Sequence, residues 1–320
     1  MIAKYTAVGD ITLEWDQASL RDWDRLISAM PQSPLEQSWA YGLAMAQTTP
    51  FNVHTLIARQ NRKVIAFSLV YSWRLAGTVT VTKIIRGPLF PNPIDALTRS
   101  RLYAEIKAVF PLHKLNFFTW MPEQVSSPEA TKFMADVSMR QVITGYSTIW
   151  LNLAQSPDVL RSQLDGKWRN QLKKAEAATF KTRISEKGMD LEWLLQKHDE
   201  HRKNKQLRAP AGDFVRAVIR HCQGKQHVMV LAAQKRRSNH AAILLLRHGR
   251  TATYYIGYSD EIGRRNYLHN LLLWQGIEKL VADGVQWLDL GGIDGQRMPG
   301  VSRFKLGLGG TPTTLAGTYL

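Results

Sequence analysis

The chain is poor in cysteine: its 320 residues hold one, Cys222. A single thiol excludes an internal disulfide framework and any cysteine-cluster metal site, and it fits a reducing compartment. Long apolar runs are missing too. The longest aliphatic stretch, AAILLL at 241–246, is far too short to cross a bilayer. The opening MIAKYTAVGDITLEW has no apolar leader core. Together these absences lead to the expectation of a cytoplasmic protein. Metal-ligand sets are scarce as well. His198 and His201 stand three apart in QKHDEHRKNK, but no further ligands accompany them. No metal is expected, and the pair reads as a solvated helix face. Negative charge is in short supply: 26 Asp and Glu face 42 Lys and Arg, a net charge of +16. A field of that sign attracts polyanions, whether RNA, DNA, a nucleotide-linked substrate or an anionic membrane face. Peripheral contact with the inner membrane surface is one expectation that follows.

What is present is ordinary for a folded protein: 44% hydrophobic and 21% charged residues, too apolar for disorder. The length predicts two domains, and the sequence repeats itself. From Leu56 it reads LIARQNRKVIAFSLVYSWRLAGTVTV, and from Val230 it reads VLAAQKRRSNHAAILLLRHGRTATYYI. Each is an apolar strand, a basic turn, a second strand, a Gly-containing turn and a third strand. Ala58 and Gln60 align with Ala232 and Gln234, and Gly77 aligns with Gly249. A helix and a strand-like run follow each meander: DALTRSRLYAEIKAVF then KLNFFTW, and NYLHNLLLWQGIEKLVADG then VQWLDL. In the later helix, Leu268, Leu271, Leu272 and Ile277 share a face, and Gly284 supplies the C-terminal stop.

Helices are also predicted ahead of each meander, at 22–29 and 38–46 in the first half and three in the second. The reading is α/β (α+β mixed sheet), with one domain over 1–154 and the other over 155–320. Ser156 caps a helix there, with Pro157 at its first position. The next helix, KWRNQLKKAEAATF, puts Trp168, Leu172 and Ala175 on one face and pairs Arg169 with Lys173 on another. Arg169, Lys173 and Lys174 are therefore candidate phosphate contacts.

The tail WLDLGGIDGQRMPGVSRFKLGLGG runs a buried strand into what reads as a glycine-rich loop, with Lys305 as a positioned cation. This tail, the WRNQLKKAE helix, the RGPLF turn containing Arg86 and the tandem halves together resemble the Fem family of aminoacyltransferases. The resemblance implies two acetyltransferase-like (GNAT) domains in tandem. It also implies transfer of an amino acid from aminoacyl-tRNA to an acceptor amine on an anionic cell-envelope precursor, such as a peptidoglycan precursor, or on a peptide, with no cofactor. It puts the family's Phe-Lys pair on Phe304 and Lys305, close to the acyl donor, with Arg303 beside them. Arg202 falls on an acceptor-phosphate position, and Tyr254 and Tyr255 on an aromatic position of the cleft. Arg169, Lys173 and Lys174 become tRNA contacts, and Arg86 a substrate contact.

The sequence departs from the family at two places. GPLFPNPID offers Asn92, and only later Asp95, where the family has an acidic residue. LEQSWAYGLAMAQ lacks the family's lysine after QS. Two other readings stay open. A CoA-dependent acyltransferase needs a Gly-rich pyrophosphate turn, and SDEIGRRNYLHN has Gly263 alone among Asp260, Glu261, Arg264 and Arg265. A non-catalytic RNA-binding or scaffold protein is the third. No Ser-His-Asp set is recognisable by spacing, so catalysis by positioning and electrostatics is expected. Asp289 reads as a strand-end residue before it reads as a base.

Overall fold

A computed structural model of the chain describes residues 5–8, 10–207, 209–222 and 227–320. They form two compact units. The first begins with β1 (Tyr5–Val8) and β2 (Ile11–Trp15), then α1 (Leu20–Ala29) and α2 (Trp39–Thr48). The helix starts are chemically marked, since Ser19 and Ser38 accept hydrogen bonds from Asp22 N and Tyr41 N. A meander follows: β3 (Asn52–Gln60), β4 (Lys63–Leu75) and β5 (Val79–Ile85). α3 (Ala96–Ala108), capped by Asp95, carries the chain across to β6 (Asn116–Met121), which pairs parallel with β5. α4 (Pro128–Asp136) and β7 (Gln141–Ile143) complete this stretch. Leu56, Val70, Ile84, Leu102, Ile106, Phe118 and Trp120 form a core on one face of the sheet, while Trp23, Ile57, Phe67 and Tyr71 form a second core on the other.

The second unit opens with β8 (Ser147–Asn152), α5 (Pro157–Ser162), α6 (Gly166–Glu176) and β9 (Lys181–Ser185), then α7 (Met189–Asn204) and α8 (Gly212–His221). Among the described residues four helices, not the expected three, precede its meander of β10 (Val228–Lys235), β11 (Ser238–His248) and β12 (Thr251–Ser259). Then come α9 (Glu261–Arg265), α10 (Leu268–Ala282), β13 (Trp287–Asp289), α11 (Pro299–Leu306) and β14 (Thr311–Thr314). The strand order is β14-β8-β13-β12-β11-β10-β9, with β12 and β13 parallel. α10 is apolar almost all round because it packs on β10 and β11 and also on α6. Gly276 lets it approach the sheet, since a Cβ there would lie 2.7 Å from Leu245 Cδ1.

The repeat is visible in backbone detail. β3 and β10 each carry a register irregularity, at Ala58/Arg59 and Ala233/Gln234. Each first turn uses two successive left-handed residues, Asn61–Arg62 and Arg236–Arg237, the conformation that matches strand twist in a two-residue hairpin.

The units depart from the expected boundary at 155 in two places. β8 pairs with β13 and so belongs to the second unit, and residues 314–320 belong to the first. There the last strand, β15 (Thr318–Tyr319), lies between β6 and β7 and buries Tyr319. Among the described residues no helix is long and apolar enough to cross a membrane.

Candidate functional site

The chemistry of the second unit gathers where the parallel strands β12 and β13 end. Asp289, the last residue of β13, is buried and accepts hydrogen bonds from Thr148 Oγ1 and, at 2.8 Å, from Gly291 N. Those bonds tie it to β8 and to the turn that follows β13. The chain then turns through Gly291, whose φ of +70° is a left-handed conformation that suits glycine. The Gly292 carbonyl accepts a hydrogen bond from Lys305 Nζ at 2.8 Å.

Lys305 does not sit in a loop. It lies on α11, which begins at Pro299, a residue suited to a first helical position, and closes at Gly307. The helix turns Lys305 inward, so the residue is only 7% exposed and its ammonium stands 5.6 Å from the centre of the Tyr254 ring. Burial pulls its pKa down to about 8, partly offset by the Asp289 carboxylate.

Tyr254 and His269 form the other half of the cluster. The Tyr254 hydroxyl lies 2.6 Å from His269 Nε2, and Ser259 Oγ lies 3.1 Å from Nδ1. Removal from water, with the Lys305 charge adding to it, pushes His269 down to about 4, so its ring is neutral at pH 7. A neutral imidazole donates from one nitrogen and accepts at the other. The chain Tyr254–His269–Ser259 can therefore pass a proton by exchanging tautomers. Burial raises the Tyr254 pKa, which keeps the phenol protonated. Gly257 makes room for this pair: a Cβ there would lie 2.4 Å from the Tyr254 hydroxyl. Tyr254 pairs with Leu245 and Ile256 with Leu244, so Tyr255 is the extra residue of a bulge. A bulge re-aims the side chains around it.

Phe304 joins this cluster to an open groove. Its ring lies edge-on to His269, with centroids 5.4 Å apart, and 5.8 Å from the Trp168 ring. The groove, about 680 Å³, runs between the start of α6 and α11 and is lined by Lys167, Trp168, Gln171, Arg303 and Phe304 among others. Trp168 Nε1 is buried with no hydrogen-bond partner among the described residues. An unpaired N–H beside a groove is a ready donor for a ligand carbonyl or phosphate oxygen.

The structure thus brings together Phe304, Lys305 and Tyr254, with Arg303 exposed on the groove wall. Tyr255 is half-buried on the bulge. Lys173 and Lys174 are exposed on the last turn of α6, and Arg169 Nη1 donates to Ser162 O at 3.4 Å. Arg202, on α7, is engaged by Asp199 at 3.3 Å. Arg86 corrects the expectation of a substrate contact. It is 2% exposed in the first unit, forms a two-pronged ion pair with Glu123 and reaches Glu36 at 3.4 Å. A buried guanidinium must be neutralised internally, and those carboxylates do so. His269, Ser259 and Trp168 escaped the sequence reading as site residues. A lone histidine within the apolar run LHNLLLW is the one signal that pointed to the first.

In the turn after β12, the Asp260 carboxylate accepts from Gly263 N at 2.7 Å. The amide that a pyrophosphate would use is therefore already capped by an anion.

Comparisons with known proteins fit this arrangement. Residues 162–306 match the acetyltransferase (GNAT) domain family. No curated protein matches the sequence. FemX is similar in structure at 11% identity over 96% of both chains, with a TM-score of 0.78. A tandem GNAT protein from the clavulanic acid biosynthesis pathway matches at 13% identity over 96% of this chain and 97% of its own, with a TM-score of 0.55. The C-terminal domain of a putative lysylphosphatidylglycerol synthetase from Agrobacterium fabrum matches at 13% identity over 94% and 91%, with a TM-score of 0.56. The chain has the tandem acetyltransferase fold that FemX shares, and its second unit carries the matched GNAT domain.

Proposed function

We propose that this chain is an aminoacyltransferase that moves an amino acid from aminoacyl-tRNA to an acceptor amine. The observation that carries the reading is Lys305, an inward-turned ammonium that donates to the Gly292 carbonyl and whose chain neighbours Arg303 and Phe304 line a groove of about 680 Å³. The amine attacks the ester carbonyl, forming the C–N bond and a tetrahedral oxyanion. Lys305, close by and shielded from water, stabilises that charge. Collapse breaks the C–O bond, and the tRNA hydroxyl leaves with the proton that the amine gave up. Tyr254, His269 and Ser259 offer a route for that proton. Phe304 and Trp168 wall the acyl site, Arg303 and Lys167 face incoming phosphates, and Arg169, Lys173 and Lys174 extend that positive surface along α6.

The acceptor in this reading is an anionic cell-envelope precursor or a peptide, with Arg202 and Tyr255 as its contacts, and no cofactor is needed. Such a donor implies reaction in the cytoplasm, at or near the inner membrane face. Support for an anionic partner comes from the net charge of +16. One structural neighbour is also named for lysylphosphatidylglycerol synthesis.

The GNAT match favours a second reading, a CoA-dependent N-acyltransferase. The carboxylate cap on Gly263 argues against it. Incubation of the purified protein with a pool of radiolabelled aminoacyl-tRNA, or with acetyl-CoA, and amine acceptors decides between them. Amide product that depends on charged tRNA is expected. Product from acetyl-CoA alone overturns the proposal.

A further inference from the structure

The first unit holds a constellation that the acyl-transfer reading does not use. Asp16 follows β2 in a left-handed conformation, with φ 55°. Its N–H donates to Thr55 O and its Oδ1 accepts from Thr55 N, both at 2.9 Å, which fixes the carboxylate. Oδ2 lies 2.8 Å from His54 Nδ1, and His54 Nε2 lies 2.8 Å from Ser72 Oγ. An ionised carboxylate only accepts, so Nδ1 carries the hydrogen. In the neutral ring Nε2 is then bare, and the Ser72 hydroxyl donates to it. That is the order of contacts by which an acid, a base and a hydroxyl make a nucleophile. The three come from separate elements: the end of β2, then β3, then β4.

The pair opens on a cleft of about 630 Å³ that includes Arg74, Thr82, Lys114 and Asn116 in its lining. Ser72 and Thr82 are direct cross-strand partners, so their side chains leave the same face of the sheet. Thr82 is fully buried, and its Oγ1 has no hydrogen-bond partner among the described residues. Asn116 Oδ1 is likewise buried and unpaired there. A buried unpaired hydroxyl beside a nucleophile is a donor available to an oxyanion.

We propose that this cleft is a second catalytic site, a serine-type esterase acting on carboxylic esters that carry an anionic group. Ser72 Oγ bonds to the ester carbonyl carbon as His54 Nε2 takes its proton, and Thr82 O–H donates to the oxyanion. The C–O bond to the alcohol then breaks, and His54 returns the proton to the departing oxygen. Water repeats the sequence on the acyl-Ser72 ester, releasing the acid and restoring the hydroxyl. Arg74 and Lys114 give the cleft its preference for anionic substrates. Asp16 is a positioning residue. This inference does not depend on which donor the second unit uses.

The test is labelling with a fluorophosphonate, in which Ser72 Oγ bonds to phosphorus and fluoride leaves, followed by peptide mapping. Hydrolysis of p-nitrophenyl hemisuccinate is measured against the neutral p-nitrophenyl acetate. Label on Ser72 and faster hydrolysis of the hemisuccinate are expected. Ser72→Ala should lose both the label and the hydrolysis. Thr82→Val should lower kcat about a hundredfold with KM little changed. Asp16→Asn should lower kcat about a thousandfold or more, again without a matching change in KM. If Ser72→Ala does not fold, Ser72→Cys serves: it should lose the fluorophosphonate label and become alkylated by iodoacetamide at position 72. Absence of label on Ser72 while a reference serine hydrolase reacts, or hydrolysis untouched by either Ser72 variant, overturns the proposal.

Discussion

Each unit ends its parallel strand pair on a buried cation, and the two cations are handled in opposite ways. After β5, Arg86 is locked by Glu123 and Glu36, and its guanidinium lies over the Tyr146 ring at 5.3 Å. After β13, Lys305 donates to the Gly292 carbonyl, and Asp289 accepts from Thr148 and Gly291. One scaffold therefore yields a strand end closed by carboxylates in the first unit and, in the second, one where the buried ammonium donates to a backbone carbonyl. Arginine suits the seal because it keeps its charge and binds carboxylates with two prongs. Lysine suits the site because burial can move its pKa into a useful range.

Breaking the seal should cost the most. Arg86→Met leaves two carboxylates without their counter-charge. The expected loss is about 3 kcal/mol, the low end for such a pair because both carboxylates keep some water contact. Urea denaturation measures it, and a neutral result would mean that the first unit does not rely on the ion pair.

Lys305→Met does the reverse. It relieves the burial of a charge, so melting temperature should hold or rise, while turnover falls roughly tenfold to a thousandfold. Normal turnover would reduce Lys305 to a packing residue.

A pH series sharpens the contrast, because an arginine does not titrate in the accessible range. The folded protein holds Lys305 at about 8, whereas an unfolded lysine titrates at about 10.4. Between those values the unfolded chain binds the additional proton. Stability should therefore rise with pH across that window, by roughly 3 kcal/mol, and the rise should vanish in Lys305→Met. Turnover should fall as pH passes about 8, since the ammonium is the active form; a rise there would make Lys305 a base instead. His269, held at about 4, gives a second window. Stability should decline as pH drops from about 6.5 toward 4, where the unfolded chain takes up a proton that the folded ring refuses.

The smallest effect concerns the outer surface of α6. Replacing Lys173 and Lys174 with Ala should flatten the dependence of log affinity for charged tRNA on log salt by about one to two units, with folding intact. An unchanged slope would move the RNA contact elsewhere.

The repeat, both meanders and the helix ending at Gly284 were legible because they rest on local signals: alternation, turn chemistry and a glycine cap. The tail is legible as a strand as far as β13, but beyond it reads as a loop where the structure has α11. Its glycines outweigh the helix that starts at Pro299, although the proline that opens PGVSRFKL carries a start signal. Lys305 and Phe304 could be selected from the tail motif. His269 could not be placed with them, because its partners Tyr254 and Ser259 sit 15 and 10 residues away on another element. The Asp16, His54 and Ser72 set is less legible still. It exists only through the register of β2, β3 and β4, which no spacing in the sequence encodes.

β15 bears on how the chain is born. A ribosome delivers residues in order, and domains commonly fold as they emerge. The first unit cannot do so fully, because β15, which stands between β6 and β7 and buries Tyr319, is synthesised after all the strands of the second unit's sheet. Until then Trp120 lacks its cross-strand partner and β6 presents an open edge, the kind of surface that recruits stray strands. The nascent protein must therefore keep its first half unfinished, and guarded, until its second half has been made.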